Sequence, residues 1–149
     1  MPTIRKAKTA GKAAALPRPG GRELAMLCAE AALCARASEA RLLEVGALTS
    51  YTDFFLVLSG RSSRQVQGIA DRVEAALKDL GVRPLGVEGA REGHWILMDY
   101  GDVVVHIFYE PVRVFYDIEG LFAEAGEVSL EEVEARVRAA ALTLPEEVP

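Results

Sequence analysis

The 149 residues are half apolar and 26% charged, with a formal net charge of −5, the proportions of an ordinary soluble globular domain with room for one core. No apolar run approaches the roughly 18 residues that a membrane span needs, and no secretory apolar region stands near the start, so no membrane role and a cytoplasmic setting are expected. The charge is unevenly placed: residues 1–22 carry Arg5, Lys6, Lys8, Lys12, Arg18 and Arg22 and no acid, which leaves eleven basic and 22 acidic side chains in the rest. An acidic body lacks the basic face needed to grip a nucleic-acid duplex. It suits a basic partner, or is simply a solvated surface.

Residues 1–21, rich in Ala, Gly, Pro and Lys/Arg, read as a disordered basic tail. An organellar transit peptide shares the acid-free start, but Ser content and amphipathic periodicity are slight here. Leu24, Leu27, Cys28, Ala31 and Ala35 fall at helical spacing and predict a helix over 23–38. On one helix Cys28 and Cys34 would stand about 9 Å apart, too far for a disulfide, and they read as small packing residues of a reducing cytosol. Residues 40–47 read as a strand, 49–53 as a polar turn, and the apolar run 54–58 as a strand buried on both faces. Ser62 and Gln65 have the spacing of a capping box. Behind them Val66, Ile69, Ala70, Val73, Leu77 and Leu80 make one stripe that Gly81 stops.

A short strand is expected at 83–87 and a polar loop at 88–93. Two alternating runs, 94–99 and 102–110, then flank Tyr100-Gly101 and predict a hairpin. In its second arm Val103, Val105 and Ile107 point one way, and Val104, His106 and Phe108 the other. Pro111 ends that arm, and 114–125 reads as a short helix. Ser129 and Glu132 repeat the capping spacing ahead of Leu130, Val133, Val137, Ala140 and Leu144, a stripe that Pro145 ends. The order α-β-β-α-β-β-β-α-α predicts an α/β fold, a mixed sheet covered by helices. The expected division is a tail at 1–21, a domain at 22–128, and a C-terminal helix and tail at 129–149.

Chemistry-bearing patterns are sparse. No phosphate-cradling glycine loop is present, and the turn Ser59-Gly60-Arg61-Ser62-Ser63 reads as a capped helix start rather than an anion site. His94 and His106 lie in opposite arms of the hairpin without the companions of a metal site, so no metal or other cofactor is expected. His106 reads as a hydrogen-bonded, semi-buried residue. Asp99 and Asp102 could pair on a divalent cation, but carboxylates beside a glycine turn are ordinary turn chemistry. No serine sits on a nucleophile elbow beside a histidine. Trp95, the only tryptophan, reads equally as a core residue or as an interface anchor.

The stretch from Ser50 to Ala125 resembles the iojap/ribosomal silencing factor family. The matching pieces are Ser50-Tyr51-Thr52-Asp53-Phe54-Phe55, Ser59-Gly60, Ser62-Ser63-Arg64-Gln65-Val66 and Ile69-Ala70-Asp71. Pro84-Leu85-Gly86-Val87-Glu88-Gly89 follows, then Trp95 with Asp99-Tyr100-Gly101-Asp102-Val103-Val104-Val105-His106, and Phe115-Tyr116-Asp117. With the preceding helix and strand the likeness covers about residues 23–125. Ile118-Glu119 and Leu121-Phe122 stand where the family usually has Leu-Glu and Leu-Trp, which are mild changes of packing volume. The tail and the helix after Ser129 lie outside the shared core.

The resemblance implies a nucleotidyltransferase-like fold of about five strands between helices, without the carboxylates that active relatives use for Mg²⁺ after the strand matching 54–58. It therefore implies a binding protein and not an enzyme. The implied partner is the fourteenth protein of the large ribosomal subunit, where the bound factor would exclude the small subunit and repress translation when nutrients are scarce. Glu88, Trp95, Asp99, Tyr100, Asp102 and His106 form the expected partner-binding set, centred on the hairpin. Trp95 and Tyr100 are its anchors, Tyr100 as an exposed ring at the turn, and the acids are complementary to a basic surface. The basic tail implies a weak contact with ribosomal RNA, and the chain is expected to be a monomer or a homodimer. Two rival classes carry their own tests. Nucleotide-dependent stabilisation with Mg²⁺ would favour a nucleotide-binding enzyme. Salt-sensitive RNA binding lost with the tail would favour an RNA adaptor.

Overall fold

The computed structural model describes residues 18–143, so residues 1–17 of the basic tail, and Leu144 and Pro145 at the end of the last predicted helix, lie outside the described residues. The first helix, α1 (Gly21–Cys34), buries Leu24, Ala25, Cys28, Ala29, Ala31 and Ala32 on one side. It stops short of the predicted 38 because Arg36 takes a left-handed φ of 68° and turns the chain into β1 (Ser38–Glu44). Cys28 is buried and Cys34 exposed, both as free thiols. β2 (Phe54–Gly60) is the apolar run, buried from Phe55 onward.

α2 (Ser63–Lys78) starts where the capping pattern places it. Ser62 Oγ accepts from the Gln65 amide at 3.1 Å, and Gln65 Oε1 accepts from the Arg61 amide at 2.7 Å. Its buried face is Val66, Ile69, Ala70, Val73 and Leu77; Leu80 falls past the end of the helix and is half exposed. β4 (Trp95–Asp99) and β5 (Val103–Tyr109) supply the predicted hairpin, while β3 (Gly86–Glu88) starts three residues later than the strand expected at 83–87.

Beyond β5 the structure departs from the sequence reading. Pro111 does not merely end the strand. It sits in the first turn of α3 (Glu110–Tyr116), where its missing N–H costs nothing. The expected single helix over 114–125 is two pieces, α3 and α4 (Ile118–Leu121). They are divided at Asp117, whose φ is +44° and whose carboxylate accepts from the Gly120 amide. A sixth strand, β6 (Gly126–Val128), pairs antiparallel with β1 and had no sequence signal: it is three residues with a glycine and an acid among them. α5 (Glu131–Thr143) follows, with the Glu131 amide on Ser129 Oγ.

The sheet is mixed, in the order β3-β4-β5-β2-β1-β6, with six strands rather than about five. Only β2 and β5 run parallel, joined by the crossover through α2 and the β3–β4 arm; the other pairs are antiparallel. Side chains alternate between two apolar layers. Leu56, Leu58, Ile96, Met98, Val103, Val105 and Ile107 face α1 and α2, and Leu130 and Val133 of the α5 segment are buried in the same layer. Phe55, Val57, Trp95, Leu97, Val104 and Phe108 face the opposite side, where Val112 of α3, Ile118 of α4 and Phe122 cover them. The predicted alternation of the second hairpin arm holds for all six residues. Among the described residues no helix is long and apolar enough to cross a membrane.

Candidate functional site

The second layer opens at one end of the sheet. Trp95 begins β4 and pairs with Phe108, while Glu88 ends the adjacent edge strand, opposite Leu97. The indole stacks on Phe108 at 4.8 Å and lies 5.0 Å from the Tyr116 ring of α3. Its N–H donates to His106 Nδ1 at 3.1 Å, a buried bond between neighbouring strands. Trp95 is only 6% exposed, so the core reading of this residue holds, yet it also lines a cleft of about 570 Å³. Glu88, Glu92, His94, Pro111, Phe115 and Tyr116 line the cleft with it. Large aromatic surface with a few polar groups is the usual make-up of a binding cleft.

His106 is a buried structural residue, not a semi-exposed contact. It is 1% exposed, packs edge-on against Phe55 at 4.6 Å, and accepts the Trp95 N–H. Because Nδ1 is the acceptor, the neutral ring carries its proton on Nε2. Burial pushes its pKa down to about 3.

The turn of the hairpin lies at the other end of β4, about 15 Å away for a five-residue strand. Here the expectation of an exposed ring fails. Tyr100 is 1% exposed and continues the alternation of Ile96 and Met98 into the α1–α2 layer. The strand period extends one residue past β4, so the ring has a core position that the word "turn" concealed. Asp99 is buried, and its Oδ1 accepts from the Gly101 amide at 2.8 Å, the carboxylate-capped turn that the spacing suggested. Gly101 has φ +89°, which suits glycine. Asp102 is half-buried beside it, and its carbonyl accepts from the amides of Asp53 and Phe54. The structure thus brings Glu88, Trp95 and His106 together, and sets Asp99, Tyr100 and Asp102 apart at the far end.

What the sequence reading missed is the wall that α3 adds. Val114, Phe115 and Leu121 are 79%, 78% and 77% exposed, and of these Phe115 lines the cleft. Its signal was present in Phe115-Tyr116, but the misplaced helix boundary hid which face those residues take. α3 is held by Arg113, which is buried within it. Its guanidinium grips both Glu119 oxygens, at 3.0 and 2.8 Å, and donates to the Glu39 carbonyl and to Ser59 Oγ. Arg41 joins Glu119 to Glu127 of β6. Arg113, then burial working against it, sets the Glu119 carboxyl, whose pKa lies below its ordinary value. The Ser59 hydroxyl, at the end of β2, is occupied by this network. Among the described residues no group of three potential metal ligands occurs.

A family model described as ribosomal silencing factor during starvation matches residues 19–147, so the likeness runs on through α5, the helix expected to lie outside the shared core. The chain belongs to the ribosomal silencing factor family. A ribosomal silencing factor RsfS of Halalkalibacterium halodurans is 35% identical over 111 residues, spanning 74% of this chain and 95% of that one. Another, from Chromobacterium violaceum, is 40% identical over 100 residues, spanning 67% of this chain and 82% of that one. A crystal structure of a Chromobacterium violaceum protein superposes with a TM-score of 0.69 at 38% identity, covering 70% of this chain and 88% of that one. Such membership places the chain among regulators of translation.

Proposed function

We propose that this chain represses translation by docking on the large ribosomal subunit, through its fourteenth protein, and excluding the small subunit from the shared face when nutrients are limiting. The mechanism is steric: two bodies cannot occupy one surface. The observation that carries the reading is the exposed Phe115 ring, left uncovered at an acid-lined cleft in a protein whose relatives are named ribosomal silencing factors. An exposed aromatic side chain at a cleft is a common anchor for a protein partner. Carboxylates at its rim favour a basic partner and speed encounter.

Within this reading Glu88 and Trp95 belong to the docking surface, joined by Phe115 and Tyr116. Tyr100 and His106 act from inside, by fixing the hairpin and the indole. Asp99 and Asp102 shape the far turn. A binding role rather than catalysis is supported at the β2–α2 turn, where the place read as nucleotidyltransferase-like has no carboxylate and its Ser59 hydroxyl is tied to Arg113. The basic tail adds a weak contact with ribosomal RNA. The test is co-sedimentation with isolated large and small subunits, followed by subunit joining measured by light scattering. Pelleting with large subunits alone, and slower joining in proportion to the amount bound, is the expected result. Equal pelleting with both subunits, or joining at the control rate, overturns it.

A further inference from the structure

The body has a charge polarity that its overall acidity hides. At one end of the sheet Asp53 precedes β2, Asp102 precedes β5, Asp99 ends β4 and Glu44 ends β1. At the other end, roughly 20 Å away for a seven-residue strand, four exposed arginines gather round the start of α2. Arg61 and Arg64 flank the capping Ser62. Gln65 ties Arg36 to them: its side chain donates to the Arg36 carbonyl at 3.1 Å and accepts from the Arg61 amide at 2.7 Å. From the other side Gln67 donates to the Arg91 carbonyl at 2.9 Å. Gly93 lets that loop lie against α2, since a Cβ there would fall 2.8 Å from the Ser63 carbonyl oxygen.

The four come from three separate stretches of chain, so spacing along the sequence does not reveal the group. The ion pairs of the described residues take Arg22, Arg41, Arg113 and Arg136, and none of these four. The acids nearest to them in the chain belong to the other side of the sheet. Glu39 and Glu92 line cavities that α3 walls, and Glu110 is the first residue of α3. The arginine row stands on the α1–α2 side.

Like charges held together repel one another, and a polyanion relieves that repulsion. A guanidinium fork matches a phosphate with two parallel hydrogen bonds. The net charge of the body argued against a nucleic-acid face; the fold gathers one locally. We propose that Arg36, Arg61, Arg64 and Arg91 hold the phosphate backbone of RNA, as a second contact separate from the α3-side cleft. This rests on the docking reading above, which sets the chain on a particle rich in RNA phosphate.

The test uses the full chain, with folding of each variant checked by thermal melting. Arg36→Gln, Arg61→Gln, Arg64→Gln and Arg91→Gln are combined. A charge-matched control combines Arg72→Gln, Lys78→Gln, Arg83→Gln and Arg138→Gln, four exposed cations elsewhere. Binding to purified, protein-free RNA of the large subunit is measured by filter retention across a salt series. Losing four phosphate contacts should lower the slope of log K against log salt by roughly 3, and weaken binding at low salt roughly tenfold or more. The control should keep the parent's slope. If the fourfold variant melts early, Arg64→Gln with Arg91→Gln should give about half the change in slope.

A variant with the parent's slope and affinity, or a control that falls equally, overturns the proposal. So does poly-glutamate that competes as well as RNA at equal charge, which would favour an acidic protein as the occupant. Loss of RNA binding in the variant supports the proposal even if the parent fails to pellet with large subunits, a failure that sinks the docking reading alone.

Discussion

Lowering the pH from about 7.5 to about 5 is expected to destabilise the fold through His106, by an amount that the structure sets. Its pKa falls from 6.5 to about 3 because the buried ring has no solvent to hold a charge. The unfolded chain takes up the proton first, so stability is full above about pH 6.5 and declines as the pH drops towards 3. Each pH unit in that window costs about 1.4 kcal/mol, so the loss reaches about 2 kcal/mol near pH 5. That is a large share of the roughly 5–15 kcal/mol that holds a typical domain together. Geometry adds to the penalty, because a proton on Nδ1 would face the Trp95 N–H that now donates to it at 3.1 Å. The carboxyls that Arg113 and Arg41 hold low, Glu119 and Glu127, lose their own contribution only as the pH falls below their ordinary value of 4.5, so the comparison at pH 5 and above reads His106.

The assay is urea unfolding followed by far-ultraviolet circular dichroism at several pH values, for the parent and for His106→Phe. The variant leaves the indole N–H without its acceptor and loses about 1–3 kcal/mol at neutral pH, but its stability should change far less across the window. A parent that is equally stable at both pH values, or a variant with the parent's slope, would refute the reasoning.

Removing the Arg113 cation with Arg113→Met leaves Glu119 with Arg41 alone and takes the donor from Ser59 Oγ, and should cost about 1–3 kcal/mol in urea unfolding at neutral pH. Glu119's share of that stability is present above its ordinary value of 4.5 and is lost as the pH falls through its lower folded value, so parent and variant should converge in acid. Tyr100→Ala should lower stability by about 3 kcal/mol or more, as expected of a core aromatic, whereas Phe115→Ala should change it by less than about 1 kcal/mol while weakening large-subunit binding. Equal melting temperatures for those two variants would contradict the burial described. Gly89→Ala places a Cβ against the Trp95 carbonyl at a φ of +82°, so it should cost at least about 1–3 kcal/mol and move the loop that lines the cleft. Unchanged melting and unchanged binding would show that the loop tolerates the shift.

Local order was legible wherever period and capping agree. The α2 stripe, the Ser62–Gln65 cap, the buried β2 run and the two faces of β5 all follow from spacing, because a helix repeats every 3.6 residues and a strand every two. β6 was not legible. A three-residue edge strand exists only because β1 offers it a free edge, which is a tertiary fact. Nor could local pattern tell that Pro111 opens a helix while Asp117 splits one, since both depend on how Arg113 and Glu119 lock the corner.

The sequence by itself determined the fold class and the family, because these rest on periodicity and on a long, specific run of residues. Only the tertiary structure decided what those residues do. Tyr100 and Trp95 sit five positions apart in one arm, but an odd separation puts them on opposite faces of the sheet and at opposite ends of β4. Phe115, far from both in the chain, meets Trp95 in one cleft because α3 folds back over the open end of the second layer. Exposure is a property of what covers a side chain. Neighbours along the chain foretell that cover only where a regular element continues, and at a turn or a helix corner the covering groups come from elsewhere.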